Sequence, residues 1–167
     1  MMVDEREILV EGLRRDQAAR AYAVVQAALP QLGFEQWLHF VETTGEGREA
    51  ALPFAEAPSG ILLARDPEGL LLGLVTYRRV QDLRHGALLC CGDLIAFGLL
   101  DRRRVTDRLL ESLEALAARL DCRALRLSLP QEAPDPAGVS SLAALLQGRG
   151  HRVEGLTLCK PLRSHGP

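Results

Sequence analysis

The order of apolar runs predicts an α/β fold: a three-layer sandwich on a mixed, mostly antiparallel sheet with one central parallel crossover. Three observations carry that expectation. Apolar runs between residues 60 and 99 are separated only by tight-turn signals, the pattern of an antiparallel meander. Leu109, Leu110, Leu113, Leu116, Ala117 and Leu120 then recur at helical spacing. After that helix "CRALRLSLP" alternates, and a strand–helix–strand unit implies a crossover and a parallel pair.

Taken in order, "REILVEGLRR" alternates weakly and reads as a first strand. "DQAARAYAVVQAALPQLG" reads as a helix with Asp16 as its cap and Pro30 and Gly33 marking its end. "FEQWLHFVETTG" is a second helix with Phe34, Trp37, Leu38 and Val41 on one side. The stretch from Gly45 to Ser59 is a loop crossing towards the sheet. "GILLARD" and "GLLLGLVTYRRVQ" form a hairpin around Asp66-Pro67-Glu68-Gly69, where Pro67 presets one backbone angle and Gly69 supplies a permissive one. "DLRHG" turns the chain into "ALLCCGDLIAFGL". The three arginines that follow read as a loop, with Thr106 or Asp107 capping the next helix. "QEAPDPAGV" is a loop, "SSLAALLQGRG" a short helix ending at glycine, and "HRVEGLTLCKPL" a closing strand or hairpin before a frayed Ser164–Pro167.

The 167 residues suit one domain, 1–167, with its core over 6–162. Hydrophobic residues are 47% and charged residues 25%, which supports a packed core and argues against global disorder. The net charge of −2 and the sparse aromatics argue against a nucleic-acid binder, which needs a basic excess. The four cysteines contain no C-x-x-C pair, so neither a metal site nor a disulfide framework is expected and a reduced, cytoplasmic setting is. No apolar run approaches the length of a membrane span.

Around "DLIAFGLLDRRRVTDRLL" and "LQGRGH" the chain resembles the GNAT superfamily of acyl-CoA N-acyltransferases. The family's central pattern is an apolar strand, then V-x-P-x-x-[R/Q]-x-x-G-x-[G/A], then a helix opening on paired leucines. Leu94 and Ala96 fall on the strand, Gly98 at the proline and Asp101 at the Arg/Gln. Arg104 and Thr106 stand at the two small residues, and Leu109 and Leu110 on the leucine pair. The spacing matches without a gap while most identities differ. Further on, Gly150 keeps its place in the family's Y-x-x-x-G-F, with Leu146 at the tyrosine and His151 at the phenylalanine.

The resemblance implies acetyl-CoA or another acyl-CoA as co-substrate, an amine as acceptor, and a homodimer. It implies that the backbone at Leu94 and Ala96 holds the acyl-CoA. It also implies that Arg102, Arg103, Arg104, Val105 and Thr106, at the mouth of the helix, receive its pyrophosphate. Helix N-termini and main-chain N–H groups bind phosphate well, and arginine adds a charge-assisted bond. Two readings of the arginines stay open: an altered phosphate cradle, or a solvated basic loop with Arg102 and Arg108 paired to Asp101 and Asp107.

Gly92 and Gly98 flank the strand segment and point to a bulge or a close backbone approach, or simply to relief of crowding. Asp93 is the candidate catalytic base, acting directly or through water; its alternative is a strand-end aspartate paired with an arginine. His39 is a second candidate, His151 a weaker one, and His85 a solvated turn residue. Tyr77, Cys90 and Cys91 are expected to pack, and Trp37 and Phe40 to form core or pocket wall. Because small residues and a tyrosine are missing from the family pattern, a non-catalytic binding or dimerisation module on the same fold is the alternative function.

Overall fold

A computed structural model describes residues 7–44, 57–97, 102–129 and 136–162, with backbone alone for 136–141. The chain forms two compact units, Met1–Leu129 and Pro130–Pro167. The first unit holds, in order, β1 (Leu9–Gly12), α1 (Ala18–Ala28), α2 (Phe34–Thr44), β2 (Ser59–Arg65), β3 (Leu71–Asp82), β4 (Gly86–Ala96), α3 (Arg102–Arg119) and β5 (Ala124–Leu127). The strands lie in that order across one sheet. Three neighbouring pairs are antiparallel, and β4 and β5 run parallel across the α3 crossover.

The turns explain the meander. Between β2 and β3, Gly69 adopts φ +92°, which glycine takes at little cost. Asp66, almost wholly buried, accepts the Leu70 N–H at 2.7 Å on its carboxylate and closes the turn. Between β3 and β4, the Asp82 carboxylate accepts the N–H groups of Arg84 at 2.9 Å and His85 at 3.0 Å, and Gly86 takes φ +72°. Arg126 on β5 completes that corner with an ion pair to Asp82 at 3.0 Å. These partners, the Arg126 guanidinium first, lower the Asp82 carboxyl from 3.8 to about 2.

Alternation along the strands gives the sheet two apolar faces. Ile61, Leu63, Leu74 and Ile95 pack with Ala21 and Val25 of α1 and Trp37 of α2. The Trp37 indole N–H donates to the Ala18 carbonyl at 2.7 Å and locks α2 against the start of α1. The opposite face carries α3, whose Val105, Leu109, Leu110, Leu113 and Leu116 are fully buried. Each such side chain stabilises by about 1.5–3 kcal/mol relative to exposure. Gly73 lets α3 come close: a Cβ there would lie 2.5 Å from the Ile95 carbonyl oxygen and 2.9 Å from a Val105 methyl. α3 ends in a Schellman turn, with Cys122 N–H on Ala117 O at 2.8 Å, Asp121 N–H on Ala118 O at 3.2 Å, and Asp121 at φ +54°.

In the second unit, α4 (Pro136–Gly148) ends in the same turn. His151 N–H meets Leu146 O at 3.0 Å, Gly150 N–H meets Gln147 O at 3.0 Å, and Gly150 has φ +93°. The glycine of "LQGRGH" is therefore a helix terminator.

Four sequence expectations change, one of them at Pro136–Val139 of "QEAPDPAGV", which open α4 where a loop was expected. Asp16 does not cap α1; it sits in a single 3₁₀ turn, Arg15–Gln17, paired to Arg14 at 3.2 Å, and Gln17 precedes the helix. Arg102–Arg104 are not loop: they form the first turn of α3, and Thr106 is no cap but bonds back to the Arg102 carbonyl at 2.9 Å. Arginine is a good helix former, and nothing in "RRRVTD" breaks a helix. The stretch from His151 to Leu162 contains no strand, and Val153, Leu156, Leu158 and Leu162 are 72–84% exposed. Alternating apolar residues supply one face for a strand but not the neighbour whose hydrogen bonds define it. The Gly45–Ser59 loop up to residue 56, Gly98, Asp101, the first part of "QEAPDPAGV" and Ser164–Pro167 lie outside the described residues.

Candidate active site

The site begins with a mismatch of length. Thr76 of β3 pairs with Gly92 of β4, while Leu74 pairs with Ile95. Val75 therefore faces two residues, Asp93 and Leu94, and β4 bulges. Asp93 occupies the left-handed region at φ +47°, a conformation that aspartate tolerates better than most residues. The Thr76 hydroxyl fixes the bulge by donating to the Gly92 carbonyl at 2.9 Å.

The bulge has two consequences. The first concerns the side chain. Paired residues share a face, so Thr76 and Gly92 face α1 and α2, as do Leu74 and Ile95. Regular alternation from Gly92 would turn Asp93 towards α3. The bulge instead aims it into a cleft of about 300 Å³ on the α1/α2 side. Val25, Leu29, Leu32, Trp37, Phe40, Leu74 and Ile95 supply its apolar wall, and Gln36, His39, Thr43, Thr76 and Asp93 its polar groups. Asp93 is exposed, and no hydrogen bond or ion pair to a described residue engages its carboxylate. Among the described residues no arginine pairs with it.

The second consequence concerns the backbone. Pairing with β5 stops at Cys91↔Leu127, with one further bond from Ser128 N–H to Cys91 O at 3.0 Å. β4 runs on from Gly92 to Ala96 with no described strand on that side. Phe97 N–H donates to Leu72 O of the β3 side at 2.7 Å. Alternation then directs the Leu94 and Ala96 N–H groups the other way, into the gap left by β5.

At the start of α3, Arg102 and Arg103 are exposed, and their side chains engage no described residue. Arg104 is half-buried and borders a second depression of about 370 Å³ with Glu7, Ile8, Asp107 and Arg108. Arg108 is bound to Glu111 at 2.8 Å. Val105 and Thr106 are buried, backbone included, at 0% and 6% exposure. Helix geometry leaves the first N–H groups of α3 without intrahelical partners. No acid stands in that turn, although the helix dipole favours one there over three cations.

The remaining candidates separate clearly. Cys91 is buried, and burial pushes its thiol up to about 12, which removes it as a nucleophile near neutral pH. Tyr77 is buried, with its ring against Gly60. His85 stays in the β3–β4 turn. In the second unit, Leu146 is buried and the His151 ring nitrogen Nδ1 lies 3.2 Å from its carbonyl oxygen. Phe40 lies on the cleft wall, and Trp37 is both core and wall. Thr76 and the helix residues Gln36 and Thr43 were not singled out from sequence. For Thr76 a signal existed: it is the lone polar residue inside "LLLGLVTY". Among the described residues no helix is long and apolar enough to cross a membrane.

No family model and no curated protein sequence matches the chain. Solved structures do. An aminoglycoside N-acetyltransferase, AAC(6')-Iy, in complex with CoA superposes with a TM-score of 0.72 at 10% identity, covering 98% of this chain and 100% of that one. Glucosamine-6-phosphate N-acetyltransferase from Arabidopsis thaliana gives 0.68 at 8% identity, covering 94% and 99%. A ribosomal-protein-alanine N-acetyltransferase from Brucella melitensis biovar Abortus 2308 gives 0.64 at 13%, covering 95% and 100%.

Proposed function

The chain has the acyl-CoA N-acyltransferase (GNAT) fold, and from that premise we propose that it transfers an acyl group, acetyl in the simplest case, from acyl-CoA to an amine. The observation that carries this reading is the bulge at Asp93. One backbone irregularity both leaves main-chain N–H groups on β4 that no described strand pairs and turns into a cleft a carboxylate that, among the described residues, has no partner.

The described residues fit an acyl-CoA. Leu94 and Ala96 offer N–H groups along an edge that no described strand pairs, suited to the amides of a pantetheine arm and to a polarised carbonyl. The first-turn N–H groups of α3 and the guanidiniums of Arg102, Arg103 and Arg104 suit a pyrophosphate. Cations at a helix N-terminus cost about 0.3–1 kcal/mol each without an anion to offset them. Acyl-CoA would supply the acyl group as an activated thioester.

The protein's own task is then to hold the amine and accept its proton. Asp93, exposed beside the cleft, takes that proton directly or through one water. His39 borders the same cleft and is the second group able to relay it. A homodimer and a cytoplasmic setting belong to the same proposal.

Calorimetric titration with CoA tests it. A dissociation constant at or below roughly 100 μM, about −5.5 kcal/mol, is expected. Arg102→Glu with Arg103→Glu should weaken it at least about tenfold at low salt, and less at high salt. Absence of binding at millimolar CoA would leave the non-catalytic module, the reading favoured by Leu146 in the tyrosine's place.

A further inference from the structure

We infer that the cleft beside Asp93 selects a small primary monoamine with an apolar, ring-sized body. This rests on the acyltransferase reading only for what then happens to the amine.

The lining decides the class by charge. Among the described residues Asp93 is its single carboxylate, and neither lysine nor arginine borders it. His39 is the one basic side chain there, and it is exposed. One ammonium group therefore finds one counter-charge. A polycation such as an aminoglycoside would press its further ammonium groups against Leu29, Leu32 and Ile95, where each loses hydration without a partner. A sugar phosphate would bring a dianion towards Asp93 with no fixed cation to receive it. The substrates named for two of the structural neighbours are thus both poor matches for this lining.

Shape and polarity agree. About 300 Å³ is at the small end of ligand sites, enough for one ring and a short chain. Trp37 and Phe40 stack at 6.2 Å and present a flat aromatic wall, and Phe40 and Leu29 remain 37% and 43% exposed at its mouth. A ligand body covering them removes apolar surface from water that the fold leaves wet.

Trp37 is the only tryptophan in the chain and lies on the cleft wall, so its fluorescence reports occupancy directly. The protein is titrated with phenethylamine, its uncharged counterpart 2-phenylethanol, kanamycin and glucosamine 6-phosphate. Phenethylamine should bind at least tenfold more tightly than the other three. Asp93→Asn should remove the preference over the alcohol, and Phe40→Ala should weaken phenethylamine several-fold; both positions are exposed, and circular dichroism verifies folding. Tighter binding of kanamycin or the sugar phosphate overturns the inference, as does unchanged phenethylamine affinity in the Asn variant. CoA is titrated into the same samples, and thiol release from acetyl-CoA is followed with each amine. Phenethylamine binding without CoA binding upholds the ligand class and removes the acyltransferase. CoA binding and thiol release with other amines, but no phenethylamine binding, does the reverse.

Discussion

The β3–β4 hairpin carries an aspartate at each end, and the two live in opposite circumstances. Asp82, at the turn, accepts two backbone N–H groups and pairs with Arg126. Asp93, at the bulge, meets no described donor and borders a cleft. Asp82's acceptor capacity is used by the fold, and Asp93's is taken up by no described residue. A carboxylate's role follows from what its neighbours have already satisfied, more than from its position on a strand.

The contrast breaks most directly by exchanging charge for amide at each end. Asp93→Asn should lower kcat/KM by about 10²–10⁴-fold, the usual contribution of a general base, with Tm unchanged. Asp82→Asn should do the opposite, lowering Tm and leaving kcat/KM in place. A loss of activity in the Asp82 variant equal to that in the Asp93 variant would show that the two ends do not divide their labour.

A second test attacks the bulge from below. Gly73→Ala puts a Cβ against the Ile95 carbonyl and Val105. The overpacking should destabilise by about 1–3 kcal/mol in urea denaturation, and CoA affinity should fall with it as β4 shifts. Wild-type stability would mean that α3 is not held where these contacts place it.

Acid sharpens the turn end. The Asp82 carboxyl is held at about 2 in the folded chain against an ordinary 3.8. A depressed value contributes stability that is present above pH 3.8 and lost as pH falls towards 2. Asp82→Asn should therefore be less stable than the wild type at pH 6, with the gap narrowing between about pH 4 and 2. A gap that stays constant across that window would remove the Arg126 pair as its cause.

The smallest effect lies at the end of α3. Asp121 and Gly150 close two helices by the same turn, yet only one is glycine. Asp121→Gly should stabilise by about 0.5–1 kcal/mol in the same urea assay, because the left-handed conformation carries no Cβ penalty in glycine. A destabilised variant would show that the aspartate side chain contributes more than its strain costs.

Much of the framework was legible in the sequence because its causes are local. The leucine stripe of α3, the Asp-Pro-Glu-Gly turn and the glycine after α4 each act within a few residues of themselves. Gly92 likewise announced an irregularity in β4, and the candidates Asp93, Leu94 and Ala96 lie on it. The arginines were harder to read. Their concentration looked like a loop because they follow an apolar strand, whereas helix propensity carries them into the first turn of α3. "HRVEGLTLCKPL" has the alternation of a strand, but pairing is a relation between two segments and cannot be read from one.

By itself, then, the sequence determined the element order from β1 to α4, the turns of the meander and the α/β class, through backbone preference and periodicity acting over short spans. Only the tertiary structure decided that Asp93 enters the α1/α2 cleft without a partner among the described residues, that β4 outruns β5, and that Arg104 is half-buried beside a depression while Arg102 and Arg103 stay exposed. Those outcomes depend on the register between strands distant in sequence, where one unmatched residue turns a side chain from one face of the sheet to the other.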